Sequence, residues 1–333
     1  MRALHVPLTL LLLVAVTPAP AEQGQVVSQT REAMKSTVTI SVWTADPAAV
    51  KAPLEAAFAA IDEVDRLFAP RFPDSVVSQV NARAAREEVA VPPEAFRLFE
   101  IAREAGRLSD GAFDITFQGL GLWNFGPGEH EVPTPEEVAA RLPLVDYRNV
   151  KLDPARRTVR FARERMAVGF GGIGQGYAAD LAADALRAAG LRDFIVDVSG
   201  DMFIAGSKGG EPWRVGIQDP RGARGTVVAV VSGYTGALVT SGDYEKYFVV
   251  NGKRYHHIID PKTGYPATEC MSVTVFAPRA VTADWMAKPI CILGPEKGIA
   301  LAERLGVHAL VLPPEGGRFA TRGLEKAVAI RFR

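Results

Sequence analysis

Residues 36–43, STVTISVW, alternate apolar and polar side chains with the two-residue period of a half-buried strand. The period then lengthens. Leu54, Phe58, Ile61 and Leu67 recur at three- and four-residue steps, which predicts a helix over residues 47–68. The stretch before Ser36 shows neither period and reads as a polar linker. APRFPDS is turn-rich and precedes a short helix ending near Asn81. A second amphipathic helix is expected over 93–108, closed by Ser109-Asp110-Gly111, and a polar, acidic one around 134–141. NVKLD and TVRFA flank Pro154-Ala155-Arg156-Arg157 as a hairpin.

The second half is strand-rich. VGFGGIGQGYAADLAADALRAAG, residues 168–190, reads as a glycine loop opening a helix. FIVDVSGD, WRVGIQD, TVVAVVSG, SVTVFA, HALVLP and AVAIRF read as strands. Asn251-Gly252 is a tight-turn signal between YFVV and RYHHII. Residues 282–306 read as helix interrupted around Pro289 and Gly294-Pro295. Strands outnumber helices and hairpins are frequent, so the expected class is α+β, with mainly antiparallel mixed sheets and packed helices. No fixed-period repeat or low-complexity segment interrupts this pattern.

Composition changes the picture at the N-terminus. Arg2, the run LTLLLLVAV and Ala19-Pro20-Ala21 make residues 1–21 read as a secretory signal, cleaved near Ala21. Its apolar run is too short for stable membrane insertion, and no cysteine follows the cut to carry a lipid. The expectation is an exported, periplasmic protein whose residues 22–333 form one large domain. With 48% hydrophobic residues the chain can build a substantial core. Basic and acidic residues balance, so nucleic acid is not an expected partner. Cys270 sits in a loop and Cys291 in an apolar helical stretch, settings that favour two small buried thiols over a disulfide.

Gly169, Gly171 and Gly174 satisfy G-x-G-x-x-G, and Asp197 follows at the distance of a ribose-binding acid. A dinucleotide-binding βαβ unit is nevertheless disfavoured, because the loop lies mid-chain and antiparallel segments follow it. Thr240, Ser241 and Gly242 offer hydroxyls and close backbone approach to a phosphate or ring edge, although the same residues are ordinary turn chemistry. His256 and His257 leave a strand on opposite faces, so at most one serves a site. Asp284 suits a helix N-terminus, and with Lys288 it has the spacing of a plain surface ion pair.

Taken in order, these stretches resemble one family, the FAD:protein FMN transferases (flavin transferases, ApbE family). PDSVVSQVN, GAFDITFQGLGLWNF, GGIGQGYAAD, TSGDY…NGKRYHHIIDPKTGYP and TADWMAKPICILGPEKG carry the resemblance, which runs from about Met34 to Ala300. It implies a cleft for FAD, transfer of the FMN half to a Ser or Thr hydroxyl of an acceptor protein, and release of AMP. The implied acceptor is an exported flavoprotein of an electron-transfer system. By the same resemblance, Met34, Ala112, Phe113, Asp114, Gln175, Thr240, Ser241, Gly242 and Ile259 contact the flavin nucleotide, and His257 is the catalytic base. The implied metal is Mg²⁺, at the Gly172 carbonyl, Asp284 and the position of Lys288.

Departures from the family pattern cluster at that metal. M-G-T reads Met34-Lys35-Ser36-Thr37, an aspartate before the glycine loop is Gly169, the loop lysine is Gln175, and an aromatic or amide is Arg71. In A-D-x-x-x-T the Asp and Thr are ligands; here Asp284 remains and Lys288 replaces the Thr. At roughly 4 Å and an effective dielectric near 20, two unit charges interact by about 4 kcal/mol, so Mg²⁺ beside an ammonium meets about twice that repulsion. Lys288 is therefore expected in the metal's own place, paired with Asp284 and not acting as a ligand, with FAD binding retained and turnover reduced. Three functions stay open: the transferase, with FAD hydrolysis as its variant; a catalytically weakened FAD-binding or flavin-delivery protein that has lost the metal site; and a nicotinamide or flavin oxidoreductase.

Overall fold

Eight strands make the central sheet: β1 (Gln25–Ala33), β2 (Ser36–Thr44), β3 (Phe194–Val198), β4 (Asp201–Ala205), β5 (Gly236–Gly242), β6 (Ser272–Ala277), β7 (His308–Leu312) and β8 (Phe319–Ala320). They lie side by side in that order and every neighbouring pair is antiparallel. The computed structural model describes residues 24–333, so the signal-peptide reading falls outside the described residues.

Period-two alternation divides the core between the two faces. Val38, Ile40, Val196, Val239 and Val275 point to a layer of helices, α1 (Lys51–Phe68), α2 (Pro93–Leu108), α3 (Gly174–Ala188) and α4 (Ala280–Arg304). Ile204, Leu238, Phe276 and Leu310 point the other way, onto Trp213 and onto Ile217 and Val231 of a small sheet built from Arg214–Gln218, Val227–Ser232 and Ala329–Phe332. Burying each such side chain contributes about 1.5–3 kcal/mol, so strands with both faces covered are the firmest part of the fold. The class is α+β, as the hairpin-rich pattern predicts.

Four local expectations are corrected. Residues Gln25–Ala33 form β1 instead of a linker, paired along its whole length with β2. Beyond Val26 and Val27 its cross-strand partners include the hydroxyl pairs Ser28–Ser41 (2.8 Å) and Thr30–Thr39 (3.0 Å), which leave no apolar alternation in the sequence. Helix α1 starts at Lys51 and not at residue 47, since Asp46 Oδ1 accepts the Ala48 and Ala49 N–H groups (3.0 and 3.3 Å) and holds a turn there. Helix α4 starts at Ala280 and runs through Pro289, breaking only at Gly294 (φ 77°). Buried Ala283, Met286, Ala287 and Ile290 outweigh a proline cost of about 3 kcal/mol. Cys270 and Cys291 form a disulfide (Cα–Cα 5.4 Å), because α4 crosses the segment that enters β6.

Asp197 lies near the end of β3 and steadies the tight β3–β4 turn, its Oδ1 accepting the Gly200 N–H (2.7 Å). β3 thus runs straight into an antiparallel hairpin, and the glycine loop is no βαβ dinucleotide unit.

Candidate active site

A cleft of about 280 Å³ opens between the glycine loop, α4, the segment around Ala112–Phe125 and the segment around Lys246–Pro261. Ala112, Phe113 and Asp114 form one wall. Asp114 caps the short turn Ile115–Gly119: Oδ1 accepts the Thr116 N–H (2.8 Å) and hydroxyl (2.6 Å), and Oδ2 accepts the Tyr147 N–H (2.7 Å). Burial raises its pKa against the pull of those hydrogen bonds. Its oxygens are committed to shaping the wall. Phe113 meets Trp285 edge-on, 6.1 Å between ring centres. Trp123 and Phe125 form an aromatic rim, stacked at 6.0 Å and backed by Phe248 and Tyr255. Trp123 Nε1–H donates to the Gly264 carbonyl (2.8 Å), which fixes the indole. A mostly apolar slot with a few polar groups suits a flat ring system.

Gly169, Gly171 and Gly172 also line the cleft. Gly176, one turn on, sets the depth of the site. A Cβ there would lie 2.3 Å from the Ala280 carbonyl oxygen and 2.6 Å from Asp284 Cβ, so only glycine lets α3 and α4 approach this closely. The Gly176 N–H donates to Asp284 Oδ2 (2.9 Å).

His256 and His257 part company at the end of the strand Lys253–His256. His256 is buried, its Nε2 2.7 Å from the Ala267 carbonyl oxygen and its Nδ1 accepting the Ile258 N–H (3.3 Å). His257 lines the cleft, with Nδ1 3.3 Å from the Lys246 carbonyl oxygen. A carbonyl only accepts, so that contact favours the proton on Nδ1 and leaves Nε2 as the basic atom. Burial, then the positive charges of Lys288, Lys246 and His256, lower the imidazole pKa to about 4. His257 is therefore neutral at physiological pH.

Lys288 supplies the charge in the floor of the cleft, with the carboxyls of Asp284 and Asp201 buried behind it. Lys288 Nζ donates to Asp284 Oδ1 and to the Asp284 carbonyl (3.1 Å). Asp201, at the start of β4, is buried within reach of both their charges. Burial, then the Asp284 charge, push Asp201 well above the usual carboxylate range. Burial pulls Lys288 down, but Asp284 and Asp201 more than restore it, and the side chain stays an ammonium. These residues do not fit a divalent cation. Both Asp284 oxygens are engaged, and the Lys288 stem fills the approach to Gly172, where a Cβ would lie 3.6 Å from Lys288 Cε.

The remaining sequence candidates divide. Ile259 lines the cleft. Met34 sits behind the glycine loop, in the β1–β2 turn at φ 54°, with its N–H on Asp65 Oδ2 (3.2 Å); Arg71 pairs with the same carboxylate. Gln175 turns to the Ser36 hydroxyl (3.3 Å), away from the cleft lining. Thr240, Ser241 and Gly242 are not turn residues but part of β5, paired with β6, and none lines the cleft. Thr240 bonds Thr274 across the sheet (2.9 Å) on the face away from the helices, whereas Ser241 shares the helix-facing side with Val239 and Asp201.

The sequence model of the ApbE family matches residues 34–311. The chain belongs to the ApbE family. It is 35% identical over 309 residues to a FAD:protein FMN transferase of Treponema pallidum, covering 87% of this chain and 85% of that protein. A Vibrio cholerae FAD:protein FMN transferase is 32% identical over 257 residues, 76% of each chain. Among solved structures, an ApbE protein from Thermotoga maritima superposes with TM-score 0.84 at 32% identity, covering 91% of this chain and 99% of that one. Apo flavinyl transferase ApbE of Pseudomonas stutzeri gives 0.80 at 31%, covering 91% and 97%.

Within this ApbE site, sequence reasoning missed Gly176, Asp201, Lys246 and the Trp123–Phe125 rim. Gly176 had a signal, as a further glycine in GGIGQGYAAD. Asp201 and Lys246 had none, since only the tertiary fold brings Asp201 near Asp284 and Lys288 and places Lys246 on the cleft lining.

Proposed function

We propose that this ApbE-family chain moves the FMN half of FAD onto a Ser or Thr hydroxyl of an exported acceptor flavoprotein of an electron-transfer system, releasing AMP. The observation that carries the reading is His257, a neutral imidazole on the wall of an apolar, aromatic-rimmed cleft that has an ammonium in its floor. The flavin ring lies along Phe113 and the Trp123–Phe125 rim, and the pyrophosphate lies toward Gly172 and Lys288. The acceptor hydroxyl oxygen attacks the FMN-side phosphorus while its proton passes to His257 Nε2. The bond from that phosphorus to the bridging oxygen breaks, and AMP leaves with the bridging oxygen. Such a transfer needs mainly positioning, charge neutralisation and proton removal. The Cys270–Cys291 disulfide supports an oxidising compartment, hence export and periplasmic action after removal of residues 1–21.

The test incubates the mature protein with FAD and a candidate acceptor, following AMP by chromatography and covalent flavin by in-gel fluorescence. His257→Ala should cut flavinylation by about tenfold or more while FAD binding persists, since general-base help is typically worth about 10²–10⁴-fold. His256→Ala should act on stability instead, through its lost bond to Ala267. Equal kinetic loss in two folded variants would remove His257 from this role. The Asp284–Lys288 pairing favours a second reading, a flavin-holding or flavin-delivery protein of weakened turnover. FAD bound without AMP release, with several acceptors, would select it.

A further inference from the structure

Lys288 is fixed by contacts that leave one direction free. An ammonium has three N–H bonds, and here two donate to Asp284, one to its side chain and one to its main-chain carbonyl. The side chain is 19% exposed, and the exposed part belongs to the cleft lining. Its stem packs along Gly172, through the space between that backbone and Asp284. Asp284 cannot swing away, because Gly176 N–H holds its second oxygen from the neighbouring helix. Behind the pair, Asp201 adds a second buried carboxyl from the central sheet. Among the described residues, no group of three or more His, Cys, Asp or Glu side chains is arranged to hold a metal ion.

We propose that the Lys288 ammonium is a tethered cation standing where the flavin transferase resemblance places magnesium, so that this chain binds and cleaves FAD without a divalent metal. The inference rests on the flavin-transfer reading and concerns only what meets the pyrophosphate charge. The third N–H donates to a phosphate oxygen, a charge-assisted bond of the stronger kind. One fixed charge replaces two, and a single donor replaces an octahedral shell, so fewer oxygens are oriented at once. Binding is retained, and turnover is slower than a metal-loaded site would give.

The test measures FAD and riboflavin affinity by flavin fluorescence quenching, with EDTA and with MgCl₂, for the wild type, Lys288→Met and Lys288→Thr. Wild-type FAD affinity should be the same in both conditions. Lys288→Met should weaken FAD by about ten- to a hundredfold, the range for a hydrogen bond to a charged group, with no magnesium response. It should leave riboflavin, which lacks phosphate, unchanged. Lys288→Thr should become magnesium-responsive, binding FAD more tightly as MgCl₂ rises. Tenfold tighter wild-type FAD binding with magnesium would overturn the lysine assignment while keeping the flavin reading. Absence of binding to either flavin would overturn both. If circular dichroism shows Lys288→Met unfolded, the wild-type titration and Lys288→Thr decide alone.

Discussion

Gly176→Ala should loosen the helix pair on which the charged floor depends. The added Cβ would fall 2.3 Å from the Ala280 carbonyl oxygen and 2.6 Å from Asp284 Cβ. The first of these is backbone, which cannot rotate aside like the end of a flexible side chain, so α3 and α4 must separate. Overpacking of this kind costs about 1–3 kcal/mol. Separation also stretches the 2.9 Å bond from Gly176 N–H to Asp284 Oδ2, and a hydrogen bond to a charged group contributes about 1.5–3 kcal/mol. Alanine's better helix propensity returns about 1 kcal/mol. The expected net loss is about 1.5–5 kcal/mol, read as a lower urea midpoint at unchanged slope. Gly171→Ala is the control, because a Cβ there meets nothing within 4 Å. A Gly176→Ala protein within about 0.5 kcal/mol of the parent, the usual span of neutral surface changes, would refute the close α3–α4 contact.

Further outcomes follow from the same geometry. A base works unprotonated, so the His257 pKa of about 4, lowered first by burial and then by neighbouring positive charge, should keep kcat/KM flat on acidification until near pH 4. Bound pyrophosphate should raise that pKa, moving the acid limb of kcat to higher pH; a kcat/KM limb at 6.5 would contradict the assignment. Replacing both Cys270 and Cys291 with alanine opens a link of sequence separation 21 and should cost about 3 kcal/mol in denaturant unfolding, with dithiothreitol affecting only the parent. Lys35, exposed at φ 57° in the β1–β2 turn, sits where glycine is unstrained. Lys35→Gly should raise stability by about 0.5–1 kcal/mol, and a lower melting temperature would show that the turn is held by other means.

Elements that announce themselves through side-chain period were legible from the chain. The core strands β2, β3, β6 and β7 and the helix Pro93–Leu108 were, because their apolar faces meet a layer that demands that period, whereas the end of β5 was hidden by Thr240, Ser241 and Gly242, which read as turn residues. β1 was not, since polar residues, two of them in hydroxyl pairs with β2, dominate it after Val27 and its surface is mostly exposed. The start of α4 was misjudged for a non-local reason. Asp180 of α3 reaches across to accept the Ala280 and Val281 N–H groups (2.8 and 3.0 Å), a cap supplied from a hundred residues away. The disulfide was hidden in the same way, by a helix crossing that spacing cannot encode.

The site separates along the same line. His257 and the Ala112–Asp114 wall were legible because short motifs hold them, whereas the meaning of Lys288 depends on what covers it. An Asp and a Lys four apart on an exposed helix are worth a few tenths of a kcal/mol and imply no function. Here Gly176 brings α3 down onto Asp284 and Asp201 is buried nearby, so Asp284 is shut from solvent while Lys288 reaches the cleft. Removing one partner of a buried ion pair costs about 3–5 kcal/mol, because the other charge is left without water or counter-ion. Once buried, the pair resists any single change at position 288 that discards the charge, unless another cation enters to replace it. That is why Lys288→Met should be less stable than the parent in any buffer, whereas Lys288→Thr should recover stability in magnesium. The stability of Lys288→Thr should rise with added MgCl₂ even without flavin, and a thermal shift seen equally in the wild type would place the ion elsewhere.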